Sequence, residues 1–172
     1  EDAFSSTLMA TIITDDNDNN LSNGTPHISE ILAAFKLHNI TLSKYIDLVT
    51  DQVKDQDTSA TSYKITVTAS YSGAVGALDS KSVTLFYSVN GGNNYIPITP
   101  QAIGSNTYEA IIPKVSSGTI VQYYASAAST LAETDTVRNP APSAPYSFLV
   151  GFKQIVKDDA EQNTGWSLSA QS

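Results

Sequence analysis

The sequence predicts a mainly β chain: an antiparallel β-sandwich preceded by a small α-helical segment. Three observations carry this. From Ser82 to Ala128, β-branched and aromatic residues cluster in short runs, each cut by Gly, Asn or Pro, which is how a succession of strands and turns is written. Tyr63-Lys-Ile-Thr-Val-Thr-Ala69 alternates strictly between two faces, the period of a half-buried strand. Only near the N-terminus do apolar residues recur at helical spacing.

Taken in order, residues 3–14 place Phe4, Leu8, Met9, Ile12 and Ile13 on one helical stripe. The stretch 14–27 is dense in Asp and Asn, which hydrogen-bond their own backbone and tolerate left-handed conformations, so an ordered turn region is expected. A second helix follows, with Thr25 as its expected cap and Pro26 as its first residue. Ile28, Ile31, Leu32 and Phe35 fall at i, i+3, i+4 and i+7 and make its apolar face. His38 lies in its last turn, and Asn39 is expected to take the left-handed position beyond it.

From Tyr45 the period shortens. Ile46, Leu48 and Val53 mark a first strand or lead-in, and residues 54–62 read as a polar linker or loop. After the strand from Tyr63, Val83, Leu85, Tyr87 and Val89 form the next inward set, with Asn90-Gly91-Gly92 as its hairpin turn. Tyr95, Ile96 and Ile98 continue that ribbon, Pro97 marking a sheet edge. Residues 108–112, 119–127 and 146–150 complete about seven strands over roughly a hundred residues, the count of an immunoglobulin- or fibronectin-type sandwich. Pro140, Pro142 and Pro145 stiffen the approach to the last strand, and Tyr123 or Tyr124 is the candidate tyrosine corner. The expected division is a helical segment at 1–44, the sandwich at 45–151, and the start of a further β module at 152–172. That tail holds the single Trp, Trp166, and has too little apolar content to fold alone.

The totals narrow the function. The 172 residues suffice for a core without staples, and the absence of Cys excludes disulfides, thiolate metal sites and a Cys nucleophile. A net charge of -8 and a pI near 4.4 argue against binding a nucleic-acid backbone or an anionic membrane surface. No apolar run approaches the roughly 20 residues of a membrane span. Only 15% of residues are charged, while Ser, Thr, Asn and Ala abound, a surface suited to an extracellular β-protein. With Glu1 in place of a Met and no basic-then-apolar leader, the expectation is a piece of a longer, exported polypeptide.

Two stretches carry family resemblances. Asp15-Asp-Asn-Asp-Asn-Asn-Leu-Ser-Asn-Gly-Thr-Pro-His27, continued by Ala34-Phe35 and His38-Asn39-Ile40, resembles a segment of secreted bacterial zinc metallopeptidases near the end of the catalytic domain. It covers about a sixth of the chain. Asn39 stands where that pattern has Gly, and is the next-best left-handed residue. The Leu85-Phe-Tyr-Ser-Val-Asn-Gly-Gly92 hairpin, Tyr108-Glu-Ala-Ile-Ile-Pro113, Gly118-Thr-Ile-Val-Gln-Tyr-Tyr124 and Ala144-Pro-Tyr-Ser-Phe-Leu-Val150 are similar to Ig/fibronectin-like domains appended to secreted bacterial hydrolases. The tail around Asp158-Asp-Ala-Glu161 and Gly165-Trp166 resembles the opening of a jelly-roll module. The resemblances imply a non-catalytic spacer or docking region, bound to the rest of its parent polypeptide and acting outside the cell. Zinc is then expected only in a catalytic domain upstream of Glu1.

The residues themselves agree that no catalytic set is present. A zinc peptidase needs His-Glu-x-x-His, and the only histidines, His27 and His38, lack that context; packing and helix-end roles are expected for them. The carboxylates Asp158, Asp159 and Glu161 are neighbours along a tail rather than a facing pair, and no Gly-x-Ser-x-Gly elbow activates a serine. Asp16, Asp18 and Asn20 supply hard oxygens at alternating positions, as a calcium loop does, with Asp15 beside them, though counting from Asp16 Leu21 and His27 stand where an EF-type loop has Gly and Glu. Two readings of that stretch stay open: an irregular calcium site, or an Asx-turn cluster held by its own hydrogen bonds. Among nine tyrosines, Tyr95, Tyr108 and Tyr124 are the candidate surface rings for stacking a sugar. The rival function is accordingly a carbohydrate- or surface-binding sandwich module.

Overall fold

Alternating burial dictates the strands. The computed structural model describes residues 3–42, 44–131 and 136–151, and shows nine strands among them. These are β1 (Lys44–Thr50), β2 (Ser62–Gly73), β3 (Leu78–Ser88), β4 (Ile96–Ile98), β5 (Gln101–Gly104), β6 (Thr107–Pro113), β7 (Ile120–Ser129), β8 (Val137–Asn139) and β9 (Tyr146–Leu149). One antiparallel sheet runs β1-β2-β6-β5. The other runs β4-β3-β7, with β8 and β9 sharing the far side of β7. The two sheets pack face to face through Ile65, Val67, Ala110 and Ile112 of one and Val83, Leu85, Val121, Tyr123 and Phe148 of the other, all at most 2 % exposed. The expected β-sandwich is therefore present.

Several local expectations change. The short strands β5 and β8 lie outside the seven anticipated runs. Val89, expected to point inward, lies beyond β3 and is exposed. The hairpin of β3 and β4 forms around Asn90-Gly91-Gly92, but its connection is longer than those three residues: the strands pair only up to Tyr87 and Ile96, leaving residues 88–95 as the connection. Ser88 organises that loop. Its hydroxyl bonds Asn90 Oδ1 at 2.7 Å and accepts from the Gly92 N–H at 3.1 Å, while Asn90 Oδ1 accepts from the Asn94 N–H. Gly91 and Gly92 take positive φ, as the sequence suggested.

Of the two readings for residues 54–62, a loop is what forms, and it is pinned. After β1 the chain crosses to the other sheet, where Gln56 donates its N–H to Leu149 O and accepts from the Gly151 N–H, both at 2.8 Å, in a parallel bridge with Val150. Asp55 Oδ1 accepts from the Leu149 N–H. Tyr123 fastens the crossing from inside: its hydroxyl donates to Asp51 O and accepts from the Val53 N–H, each at 2.8 Å. This is not the tyrosine corner of the expectation, whose hydroxyl reaches a few residues upstream; here the partners are about 70 residues earlier.

The helical segment comprises α1 (Ala3–Asp15), a 3₁₀ turn (Leu21–Asn23) and α2 (Ile28–Lys36). On α1 the buried stripe narrows to Leu8 and Ile12, with Phe4 and Ile13 exposed. These two meet Ile28 and Leu32 of α2 together with Val75, from the β2–β3 connection, and Leu131, after β7. Each such side chain contributes about 1.5–3 kcal/mol by leaving water. Two hydrogen bonds reinforce the contact: Gly76 N–H to Leu21 O at 2.8 Å, and the Thr130 hydroxyl to Ser22 O at 3.2 Å. The helices are thus docked on one end of the sandwich.

Neither end of α2 is wholly as expected. Its N-cap is His27, whose side chain makes no capping bond; Thr25 and Pro26 precede the helix. Its C-terminus does follow the expectation, since Asn39 adopts φ 58. Ile40 N–H bonds Phe35 O and Asn39 N–H bonds Lys36 O, the paired bonds of a Schellman motif, with Phe35 and Ile40 both packed on the helical core. The tail at 152–172, with Asp158, Asp159, Glu161 and Trp166, lies outside the described residues.

Candidate functional site

Two places gather the residues singled out above. The first is the junction between α1 and α2. Asp15 ends α1 and reaches the start of α2, where Oδ2 accepts from the Thr25 hydroxyl at 2.7 Å and from the His27 N–H at 2.8 Å. Its Oδ1 faces His27 Nδ1 at 2.7 Å. The hydrogen bond from His27, then that from Thr25, lowers the Asp15 pKa to about 2. The same bond, helped by the charge of Asp15, raises the His27 pKa. With the carboxylate ionised, Nδ1 carries the proton and donates it. Asp15 therefore supplies the cap that Thr25 was expected to give.

Asp16, Asp18 and Asn20 form a chain of Asx turns. Asp16 Oδ1 accepts from the Asp18 N–H, Asp18 Oδ1 from the Asn20 N–H at 2.9 Å, and Asn20 Oδ1 from the Ser22 N–H and hydroxyl. Asp18 Oδ2 also accepts from Asn23 Nδ2 at 2.8 Å, and this bond leads the causes that lower its pKa. For calcium the donor set is a partial fit. Asp15 spends both oxygens on Thr25 and His27, so only Asp16, Asp18 and Asn20 remain, each already shared with the backbone. Among the described residues no group of three or more His, Cys, Asp or Glu is arranged to hold a metal.

An open groove of about 570 Å³ runs beside this junction, lined by Thr7, Ala10, Thr11, Thr14, Asp15, His27 and Ile31. An imidazole–carboxylate pair can hold a proton. The Thr11 and Thr14 hydroxyls donate back to Thr7 O and Ala10 O within α1. His38 is exposed at the end of α2, away from the pair.

The second place is the outer face of the β4-β3-β7 sheet. Phe86 pairs with Tyr124 across β3 and β7 and with Pro97 across β3 and β4. The rings of Phe86 and Tyr124 stack with centroids 5.1 Å apart, and Tyr95 meets Tyr124 edge-on at 5.0 Å. All three rings are half-buried. Burial, then the neighbouring Tyr124, raises the Tyr95 pKa. Tyr108 does not join them. It faces the core at 8 % exposure, sharing the inward set with Ala110 and Ile112, and is no surface ring.

Phe86 was passed over in the sequence, although the inward alternation of Leu85 and Tyr87 places it outward. Gln122 had no signal of its own, and Gly92 showed only as a turn residue. Beneath the rings Gln122 Oε1 is buried without a hydrogen-bond partner. A Cβ at Gly92 would lie 3.1 Å from that oxygen and 3.3 Å from the Tyr95 hydroxyl. No protein-family model matches this chain, and no curated protein matches it significantly.

Proposed function

We propose that this chain is a non-catalytic accessory region of a secreted bacterial metallopeptidase, acting as a spacer that holds the peptidase at a fixed attitude to its substrate or the cell surface. The reading rests on the resemblance of residues 15–40 to the end of such catalytic domains. The structural observation that carries it is the joint between helices and sandwich. Leu8, Ile12, Ile28 and Leu32 share one small core with Val75 and Leu131, and Gly76 and Thr130 bond the 3₁₀ turn. A spacer must transmit orientation. A joint made of packed side chains and backbone bonds does so, where a Gly/Ser linker would not. The sandwich adds no chemistry of its own, and zinc belongs to the parent's catalytic domain.

The test has two parts. The gene should encode His-Glu-x-x-His upstream of Glu1, and the isolated chain should cleave no peptide with or without zinc. Zinc-dependent turnover by the purified chain, or a parent lacking that motif, would overturn the reading.

A further inference from the structure

We infer that the outer face of the β4-β3-β7 sheet is the docking surface for the chain's own connector, residues 152–157, which lie outside the described residues and follow directly on Gly151. The inference stands without the peptidase reading. Three observations meet there, beginning with the face itself. Ile120 is 57 % exposed and pairs with Leu149 of β9, and the alternation that buries Val121, Tyr123 and Phe148 turns both outward. Further along β7, Tyr124 stacks on Phe86 and meets Tyr95, with Pro97 beside Phe86 on β4. Between these two apolar groups lie Gln122 and its strand partners Ser88 and Ser147. The face reads apolar, polar, apolar, where a solvated sheet face is ordinarily polar throughout.

The second observation is where the chain leaves the sandwich. Val150 N–H bonds Thr119 O and Gly118 N–H bonds Val150 O, so the backbone is held against the start of β7 to the end of the last strand. Gly151 then bends with φ +90, at a point where a Cβ would strike Ser117 Oγ. Phe152, the next residue, starts within reach of the apolar end of the face, since consecutive Cα atoms are only about 3.8 Å apart. A segment tethered this closely meets the face at an effective concentration of about millimolar or more, an advantage that no free ligand shares.

The third is the segment's own pattern, Phe152-Lys-Gln-Ile-Val-Lys157. In an extended chain successive side chains point to opposite sides, which puts Phe152, Gln154 and Val156 on one side and Lys153, Ile155 and Lys157 on the other. The first set repeats the order of the face: apolar, polar, apolar. The spacing agrees as well. Phe152 and Val156 are separated as Ile120 and Tyr124 are, by about 13 Å of extended chain. Laid along β7, Phe152 covers Ile120 and Leu149, Gln154 meets Gln122 and Ser147, and Val156 covers Tyr124 and Phe86. Both lysines stay in water. A connector so held fixes the direction in which the residues from Asp158 onward leave the sandwich.

The test uses the full chain, whose lack of Cys lets a nitroxide be placed at one position through Lys157→Cys. The label should broaden the Phe86, Tyr95 and Tyr124 amides in ¹H–¹⁵N spectra. Phe152→Ser combined with Val156→Ser should abolish that broadening, whereas Ile155→Ser, on the other side of the segment, should keep it. Broadening confined to the residues next to Gly151, or to the opposite sheet, overturns the inference. So does broadening that the serine pair leaves in place, or that Ile155→Ser removes equally. Two results would name another occupant and overturn it as well. Broadening of an unlabelled ¹⁵N chain by added nitroxide-labelled chain, and not within one molecule, marks a second copy. Saturable shifts of the same amides by cellohexaose in the unaltered chain mark a sugar.

Discussion

Replacing Tyr123 by Phe removes one oxygen from the interior of the sandwich and little else. The ring stays packed against Tyr146 and Phe148, at centroid distances of 5.9 and 6.0 Å, so no cavity larger than a hydroxyl opens. What is lost is the clamp on the crossing segment: one bond donated to Asp51 O and one accepted from the Val53 N–H. Asp51 is exposed, and its carbonyl regains water at small cost. Val53 is half-buried, and its N–H is left without an acceptor. An orphaned donor costs about 1–3 kcal/mol and a rehydrated carbonyl a few tenths, giving about 1.2–3.5 kcal/mol in all. For a chain of this size each kcal/mol lowers the melting point by about 2–4 °C, so the expected fall is about 2–14 °C. Circular dichroism follows the melt, and hydrogen exchange at the Val53 amide reports the clamp directly. A melting point within about 1 °C of the parent chain, with Val53 exchange unchanged, would refute the argument.

Three further outcomes follow from the junction. A raised folded-state pKa gives stability that is complete below the ordinary imidazole value of 6.5 and is lost as pH rises from there through the raised value, which is the case of His27. A lowered one stabilises above the ordinary carboxylate value of 3.8 and is lost as pH falls towards about 2, which is the case of Asp15. The α1–α2 junction should therefore be firmest between those ordinary values, and Asp15→Asn should bring the His27 titration, read by NMR, back towards 6.5. Gly76→Ala places a methyl 2.7 Å from Leu131 Cγ at φ +81; strain of about 1–2 kcal/mol from the backbone alone should speed amide exchange in both helices before the sandwich changes. Calcium in excess should leave the melting temperature where chelator leaves it, because Asp15 is committed to Thr25 and His27. A saturable rise, about 2.7 kcal/mol at a hundredfold excess over Kd, would put the ion on Asp16, Asp18 and Asn20.

Much of the fold is legible where one periodicity acts alone. Tyr63 to Ala69 alternate because one face meets the opposite sheet and the other meets water, and Asn39 announces a helix end because few residues tolerate φ 58. Gln101–Gly104 and Val137–Asn139 are too short to show a period, and they become strands only because β6 and β7 offer them edges. Ser88 ends its strand through a hydroxyl that satisfies loop amides, a choice invisible in hydropathy. The candidate sites divide in the same way. Tyr108 was legible as core from its parity with Ile112. The Asp15–His27 contact was not, since twelve residues of turn decide whether a carboxylate reaches an imidazole. Nor was the stack of Phe86 on Tyr124, which depends on the register of two strands far apart in sequence.

The bridge that joins Gln56 to Val150 has a meaning for how the chain is made. Asp55 and Leu149 are 94 residues apart, so on a ribosome the Asp55–Gln56 part of the crossing waits until the last strand has emerged, while Asp51 and Val53 already have partners in Thr66 and Tyr123. The sheets can assemble earlier as separate hairpins, but their closure by this segment is one of the last contacts available, and long-range closure of this kind is slow. A chain stopped ahead of β9 would leave the Gln56 backbone without its Leu149 and Gly151 partners, a short unpaired edge open to any neighbouring nascent chain.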